Sequence, residues 1–106
     1  MQINVIKNDD EVLIIAVSGD VITTNAAEFR SEVLKLREEN KGAELTFDFK
    51  DLSYISSAGL RVIMHLLKKE KKMFHIVNVS EEMYDILNVT GFTGKIDISQ
   101  MAHNEV

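Results

Sequence analysis

Between Leu45 and Leu67 the apolar residues change their period, and that change restricts the fold more than any other feature of the chain. Leu45, Phe47 and Phe49 alternate with Thr46, Asp48 and Lys50, the spacing of a strand. From Ser57 onward Leu60, Ile63, Met64 and Leu67 recur at helical intervals, with Val62 and Leu66 widening the stripe. So little of this helix is polar before Lys68 that most of its surface must lie against other elements. Between the two segments, the stretch from Asp51 to Arg61 carries the adjacent serines Ser56 and Ser57. A serine at a helix start caps it, its side-chain oxygen accepting an orphan backbone N–H. The same turn gathers unpaired N–H donors and the positive end of a helix dipole, a favourable place for a phosphate.

The flanking sequence repeats the alternation. Ile3 and Val5 alternate with polar neighbours, and Val12 to Val17 is a continuous apolar run, so both read as strands, the first half exposed and the second buried on both faces. Asn8, Asp9 and Asp10 supply hairpin turn chemistry, and Gly19 is expected to close the second strand. Asn25 with Glu28 three positions on resembles a capping box, and Phe29, Val33 and Leu36 follow at i, i+4 and i+7 of a helix ending near Asn40 to Gly42. The charges at its C-terminal end, and the run Lys68 to Lys72 closing the next helix, read as solvated or dipole-complementing surface. Phe74 to Val79 reads as a strand. Ser80 caps a short helix carrying Met83, Ile86 and Leu87 and ending at Thr90 and Gly91. Lys95 to Ile98 is a possible last strand, and about residues 100–106 form a tail. The expected architecture is an α/β sandwich. A mixed central sheet of four to five strands, parallel in the middle and antiparallel at its N-terminal edge, is packed by three helices.

Composition excludes several functions. A chain of 106 residues has the size of one domain, and residues 1–106 read as one. The net charge of -5 opposes direct nucleic-acid binding. The absence of Cys removes disulfides and thiolate chemistry and agrees with a reducing, cytoplasmic setting. No segment approaches the ~18 apolar residues of a membrane span, and the N-terminus lacks a signal-peptide pattern.

No catalytic constellation emerges. Ile55 to Gly59 lacks the first glycine of a nucleophile elbow. His65, His75 and His103 match no ligand or triad spacing, and the five glycines form no phosphate loop. The expectation is no enzyme, no metal and no cofactor. Asp48 and Asp51 stand just before the serines, where they could orient a hydroxyl, receive a partner's Mg²⁺, or finish a turn.

The residues from Asp48 to Met64 resemble the signature of STAS domains, specifically the stand-alone anti-sigma factor antagonists of bacteria. In that pattern an aspartate follows a core strand. A loop then leads to a small acidic or serine residue (here Ser56), a phosphorylatable serine or threonine (Ser57), a small residue (Ala58), and Gly-Leu opening a helix (Gly59, Leu60). Gly19, the stretch Thr24 to Ala26 and the element order are similar too. The resemblance implies that Ser57 accepts phosphate from an anti-sigma factor with serine kinase activity, that a serine phosphatase removes it, and that only the unphosphorylated form captures the anti-sigma factor. It also implies a partner-binding surface at Asp20, Thr23, Thr24, Asn25, Ser56, Ser57, Ala58, Gly59 and Arg61. Two positions depart from the pattern, Ser56 and Ile22 standing where the family often has Asp. A STAS adaptor module that is never phosphorylated is the alternative. Read from the residues alone, Ser56 and Ser57 can equally be no more than cap and first-turn residues.

Overall fold

The computed structural model describes residues 1–70, 74–89 and 97–100, apart from the Leu67 side chain. In chain order the elements are β1 (Gln2–Asn8), β2 (Val12–Val21), α1 (Ala26–Glu39), β3 (Glu44–Asp48), β4 (Leu52–Ile55), α2 (Ser57–Lys69), β5 (His75–Val79), α3 (Glu81–Val89) and β6 (Asp97–Gln100). The sheet runs β1-β2-β3-β5-β6, with β4 also paired to β2. Only β1 is antiparallel, joined to β2 by the hairpin. Asp9 fixes that turn: its carboxylate accepts the backbone N–H of Val12 at 2.7 Å and of Glu11 at 2.8 Å. Those two bonds hold its carboxyl below the usual carboxylate range.

The expected architecture is present, with one more strand than the apolar pattern showed. The register of β3 on β2 pairs Ala16 with Asp48, whereas beyond it Gly19 pairs with Leu52 and Val21 with Ile55. The chain from Glu44 to Ile55 thus stays beside β2 but slips where Phe49 turns away to donate its N–H to the Val77 carbonyl. Gly19 does not end β2, contrary to expectation. It adopts a positive φ of 81° inside the strand, donates its N–H to the Asp51 carbonyl, and lets β2 change partners from β3 to β4.

One face of the sheet is dry. Leu13, Ile15 and Val17 of β2, Leu45 and Phe47 of β3 and Ile76 of β5 pack there against Phe29 and Val33 of α1, Val62, Ile63 and Leu66 of α2, and Met83 and Leu87 of α3. Phe47 sits centrally, its ring centroid 6.2 Å from Phe29, 5.7 Å from Phe49 and 6.1 Å from Phe74. The other face of β2 carries Val12, Ile14 and Ala16, which are only half-buried, so this strand is covered on one side rather than both. Of the α3 stripe, Met83 and Leu87 are buried, whereas Ile86 is exposed. Ser80 caps that helix as expected, its Oγ accepting the Met83 N–H at 3.1 Å. Thr90, Gly91, Lys95 and the tail beyond Gln100 lie outside the described residues.

On the half-covered face the register places Thr46, His75 and Asp97 in one row across β3, β5 and β6. The His75 imidazole meets a carboxylate at each nitrogen, Asp97 Oδ2 at 2.8 Å from Nδ1 and Glu44 Oε1 at 2.6 Å from Nε2. Both contacts want a proton on the ring. The hydrogen bond to Glu44, then that to Asp97, raises the His75 pKa above its ordinary value.

Two outcomes follow from this packing. Because the raised pKa belongs to the folded state, the stabilisation from His75 is fully present below about pH 6.5 and disappears as pH rises through the folded-state value. Urea denaturation of the wild type and His75→Gln should therefore differ most near pH 6 and converge at alkaline pH, and NMR should show the imidazole titrating above a free histidine. At Gly59 an added Cβ would lie 2.6 Å from Ile55 Cγ1 and 2.8 Å from Val21 Cγ1. Gly59→Ala gains about 1 kcal/mol of helix propensity but overpacks a buried contact at about 1–3 kcal/mol, so urea denaturation should show a net loss of stability.

Candidate functional site

Parallel strands bring the starts of α1 and α2 to the same end of the sheet, after the C-terminal ends of β2 and β4. Val21 pairs with Ile55, and the Ser56 N–H donates to the Val21 carbonyl at 2.7 Å, so the segment leaving β2 lies beside the serines. Every residue expected at the partner surface belongs to these two neighbouring segments: Asp20, Thr23, Thr24 and Asn25 on one, Ser56, Ser57, Ala58, Gly59 and Arg61 on the other.

The two serines do different work. Ser56 is the N-cap of α2, with its Oγ accepting the Gly59 N–H at 3.2 Å. It is 7% exposed, the only polar side chain among the buried described residues. Ser57 is the first residue of the helix, exposed, with no side-chain hydrogen bond among the described residues. The first turn of α2 holds no acidic residue, so beyond the Ser56 cap no carboxylate within that turn answers the positive end of its dipole. Ala58 is half-buried and Gly59 buried, and the missing Cβ of Gly59 is what lets α2 settle against Val21 and Ile55. Arg61 is exposed one turn beyond Ser57, on the same side of the helix.

On the neighbouring segment, Asn25 stands at the N-cap of α1 without capping it. Its Oδ1 accepts the Ile22 N–H at 2.8 Å and its Nδ2 donates to the Asp20 carbonyl at 3.0 Å, so the side chain braces its own loop and the expected capping box does not form. The brace leaves Asp20, Thr23 and Thr24 exposed, with Ile22 40% exposed beside them. Tyr54, opposite Asp20 in the register, is 53% exposed. It joins Ile22 as an exposed large side chain at this end; Tyr54 was not anticipated, because no residue pattern marks a strand side chain left uncovered.

Asp48 and Asp51 do not orient the serines. The Asp48 carboxylate accepts the Lys50 N–H and an Asn78 Nδ2 proton, each at 3.0 Å, and so finishes a turn and ties it to β5. Asp51 meets β2 through its backbone carbonyl. His65 contacts Arg30 at 3.5 Å, away from Ser57 along the helix, and His75 lies on the other face of the sheet. Among the described residues no group of three or more His, Cys, Asp or Glu side chains could hold a metal ion, and no helix is long and apolar enough to cross a membrane.

Residues 3–104 match the family model of the STAS domain. Over its whole length the chain is 31% identical to the anti-sigma-B factor antagonist of Bacillus subtilis (strain 168), of which the match covers 99%. Among solved structures, an anti-sigma factor antagonist from Mycobacterium paratuberculosis superposes with a TM-score of 0.81 at 18% identity, over 92% of this chain and 84% of that one. The Bacillus cell fate determinant SpoIIAA in its phosphorylated form gives 0.67 at 15% identity, over 97% and 93%. A match spanning nearly all of the chain, with the serine turn at the end of β4, makes this protein a member of the STAS-domain family of anti-sigma factor antagonists, a regulatory module and not an enzyme.

Proposed function

We propose that the protein captures an anti-sigma factor with serine kinase activity, and that phosphorylation of Ser57 by that partner switches capture off until a serine phosphatase restores it. The observation that carries this reading is the division between the serines: Ser56 is buried and engaged as a cap, whereas the Ser57 hydroxyl is exposed on an acid-free first helical turn. Kinship with an anti-sigma-B factor antagonist supports the choice of partner.

A phosphate at Ser57 would add about -1.5 to -2 charges and strong acceptors at a helix N-terminus, where the fold tolerates it. A partner seated on that surface would meet a desolvation cost and, if acidic, repulsion. Regulation then works by denying the surface, with the core unchanged. Because Asp20, Thr23 and Thr24 are exposed beside the serines, the partner would grip both segments at once. The cycle would set how much sigma factor is free, and so regulate transcription indirectly from the cytoplasm.

Incubation with the cognate anti-sigma factor and ATP should add one phosphate to the wild type and none to Ser57→Ala, read by intact mass. Ser57→Asp should lose the anti-sigma factor in a pull-down and Ser57→Ala retain it. Equal labelling of Ser57→Ala would exclude the switch and leave an adaptor module that works without phosphorylation. Ser56→Ala should still be labelled, yet lose about 1 kcal/mol of stability with its cap, measured by urea denaturation.

A further inference from the structure

Charge on the two neighbouring helices is mostly sorted by side. On α1, Glu28, Glu32 and Glu39 recur at i, i+4 and i+11, whereas Arg30, Leu34 and Arg37 recur at i, i+4 and i+7 on the flank that meets α2, with Glu38 the one α1 carboxylate beside them in the groove. Helix α2 contains no carboxylate, and its exposed residues include Arg61, His65, Lys68 and Lys69. Between the helices runs a groove of about 530 Å³, with Leu34 and Leu66 among its lining and Lys35 and Lys69 beside them.

Two carboxylates also line this groove; Glu70 is neutralised in a mostly buried pair, whereas Glu38 makes only an exposed pair. Glu70 is held by Arg37 at 3.0 and 3.2 Å in a pair that is mostly buried, and Glu38 is paired with Lys41 at 2.9 Å. Arg30, Lys35, Lys68 and Lys69, by contrast, have no ion-pair partner among the described residues. The local potential is positive enough to act on His65: burial, then Lys69, Arg30 and Lys68, holds its pKa below the ordinary value. In a chain of net charge -5 this groove, whose lining sets Lys35, Arg37 and Lys69 against Glu38 and Glu70 beside apolar walls, is a local reversal of sign.

We infer that the α1–α2 groove docks an acidic amphipathic helical segment of a protein partner, apolar side chains against Leu34 and Leu66 and carboxylates against Lys35 and Lys69. The concave shape between two helices suits a third helix laid along them, the helix-in-groove mode, better than it suits a flat lipid surface. The inference rests on the reading of the chain as a partner-capture module and gives the chemistry of a second contact on that partner, beyond the serine turn.

The probe is a fluorescein-labelled synthetic helix with Leu at i, i+3, i+4 and i+7 and Glu elsewhere. Titrated with wild-type protein, it should bind with an affinity that falls as NaCl rises. Lys35→Glu and Lys69→Glu should each weaken binding about tenfold, while Lys7→Glu, the same charge change on β1, should leave it within twofold of wild type. Amide shift changes should map to α1 and α2. No binding, equal loss in Lys7→Glu, or shifts confined to other elements would overturn the inference, as would uptake by anionic phospholipid vesicles without peptide binding. A second arm separates this from the serine switch. If the cognate anti-sigma factor binds wild type and Lys35→Glu/Lys69→Glu equally, the groove is not its docking site although the capture function stands. If it does not bind wild type at all, the capture function fails and the peptide titration still decides the groove.

Discussion

The close contact of α2 with Val21 and Ile55, made possible by the bare Cα of Gly59, is the constraint on which the rest of this structure depends. It seats the start of α2 directly over the ends of β2 and β4. From that single approach follow the burial of Ser56, the outward position of Ser57, and the adjacency of the Asp20–Asn25 segment through the Ser56–Val21 backbone bond. A Cβ at residue 59 would crowd the Ile55 and Val21 side chains and disturb the contact that sets these groups side by side. The packing of one glycine and the chemistry of one hydroxyl two residues earlier are thus one arrangement.

Stability and display are kept on different residues. Burying Ser56 without a partner would cost more than a hydrogen bond returns, so its cap contact to Gly59 is obligatory, and phosphate could reach it only by undoing the helix start. Ser57 bears none of that duty. The cross-helix pair of Arg37 with Glu70 plays the corresponding part at the opposite end of α1 and α2. Arg37 also donates to the Asn40 and Ala43 carbonyls that close α1, so that both ends of the helix pair are fixed and the exposed cations between them are spared from structural work.

Most of the architecture was legible in the chain, for identifiable reasons. Leu45, Phe47 and Phe49 announce a strand because only one of its faces is fully buried, whereas α2 is less covered than its apolar run suggests: Val62, Ile63 and Leu66 are buried, but Arg61, Met64 and His65 are exposed on its outer side. The strand Leu52–Ile55 was hidden because its two buried residues lie three positions apart, a spacing imposed by the slip along β2 and foreign to a regular strand. Gly19 was mistaken for a stop because a glycine says that the backbone departs from the usual conformation, not whether the strand resumes. Asn25 was placed correctly at the helix start, but its amide found nearer partners in the loop. That the serine pair supplies cap and first turn was readable, since capping geometry is local; which of the two is buried was not, because it depends on how closely α2 approaches Val21 and Ile55. The Glu44–His75–Asp97 bridge was not, because it is created by register across three strands, and register is a property of the fold.

The loop closed by Asn25 has an evolutionary consequence. Its conformation is held by one side chain bonding to Asp20 and Ile22, so Thr23 and Thr24 contribute nothing to the core and their side chains are free to vary. Related antagonists within one cell must avoid capturing one another's partners, and such discrimination needs positions where an attractive or repulsive group can be exchanged at no cost to folding. This loop offers such positions beside the serine turn, because exchanging Thr23 or Thr24 would disturb neither the Ser56 cap nor the Gly59 contact.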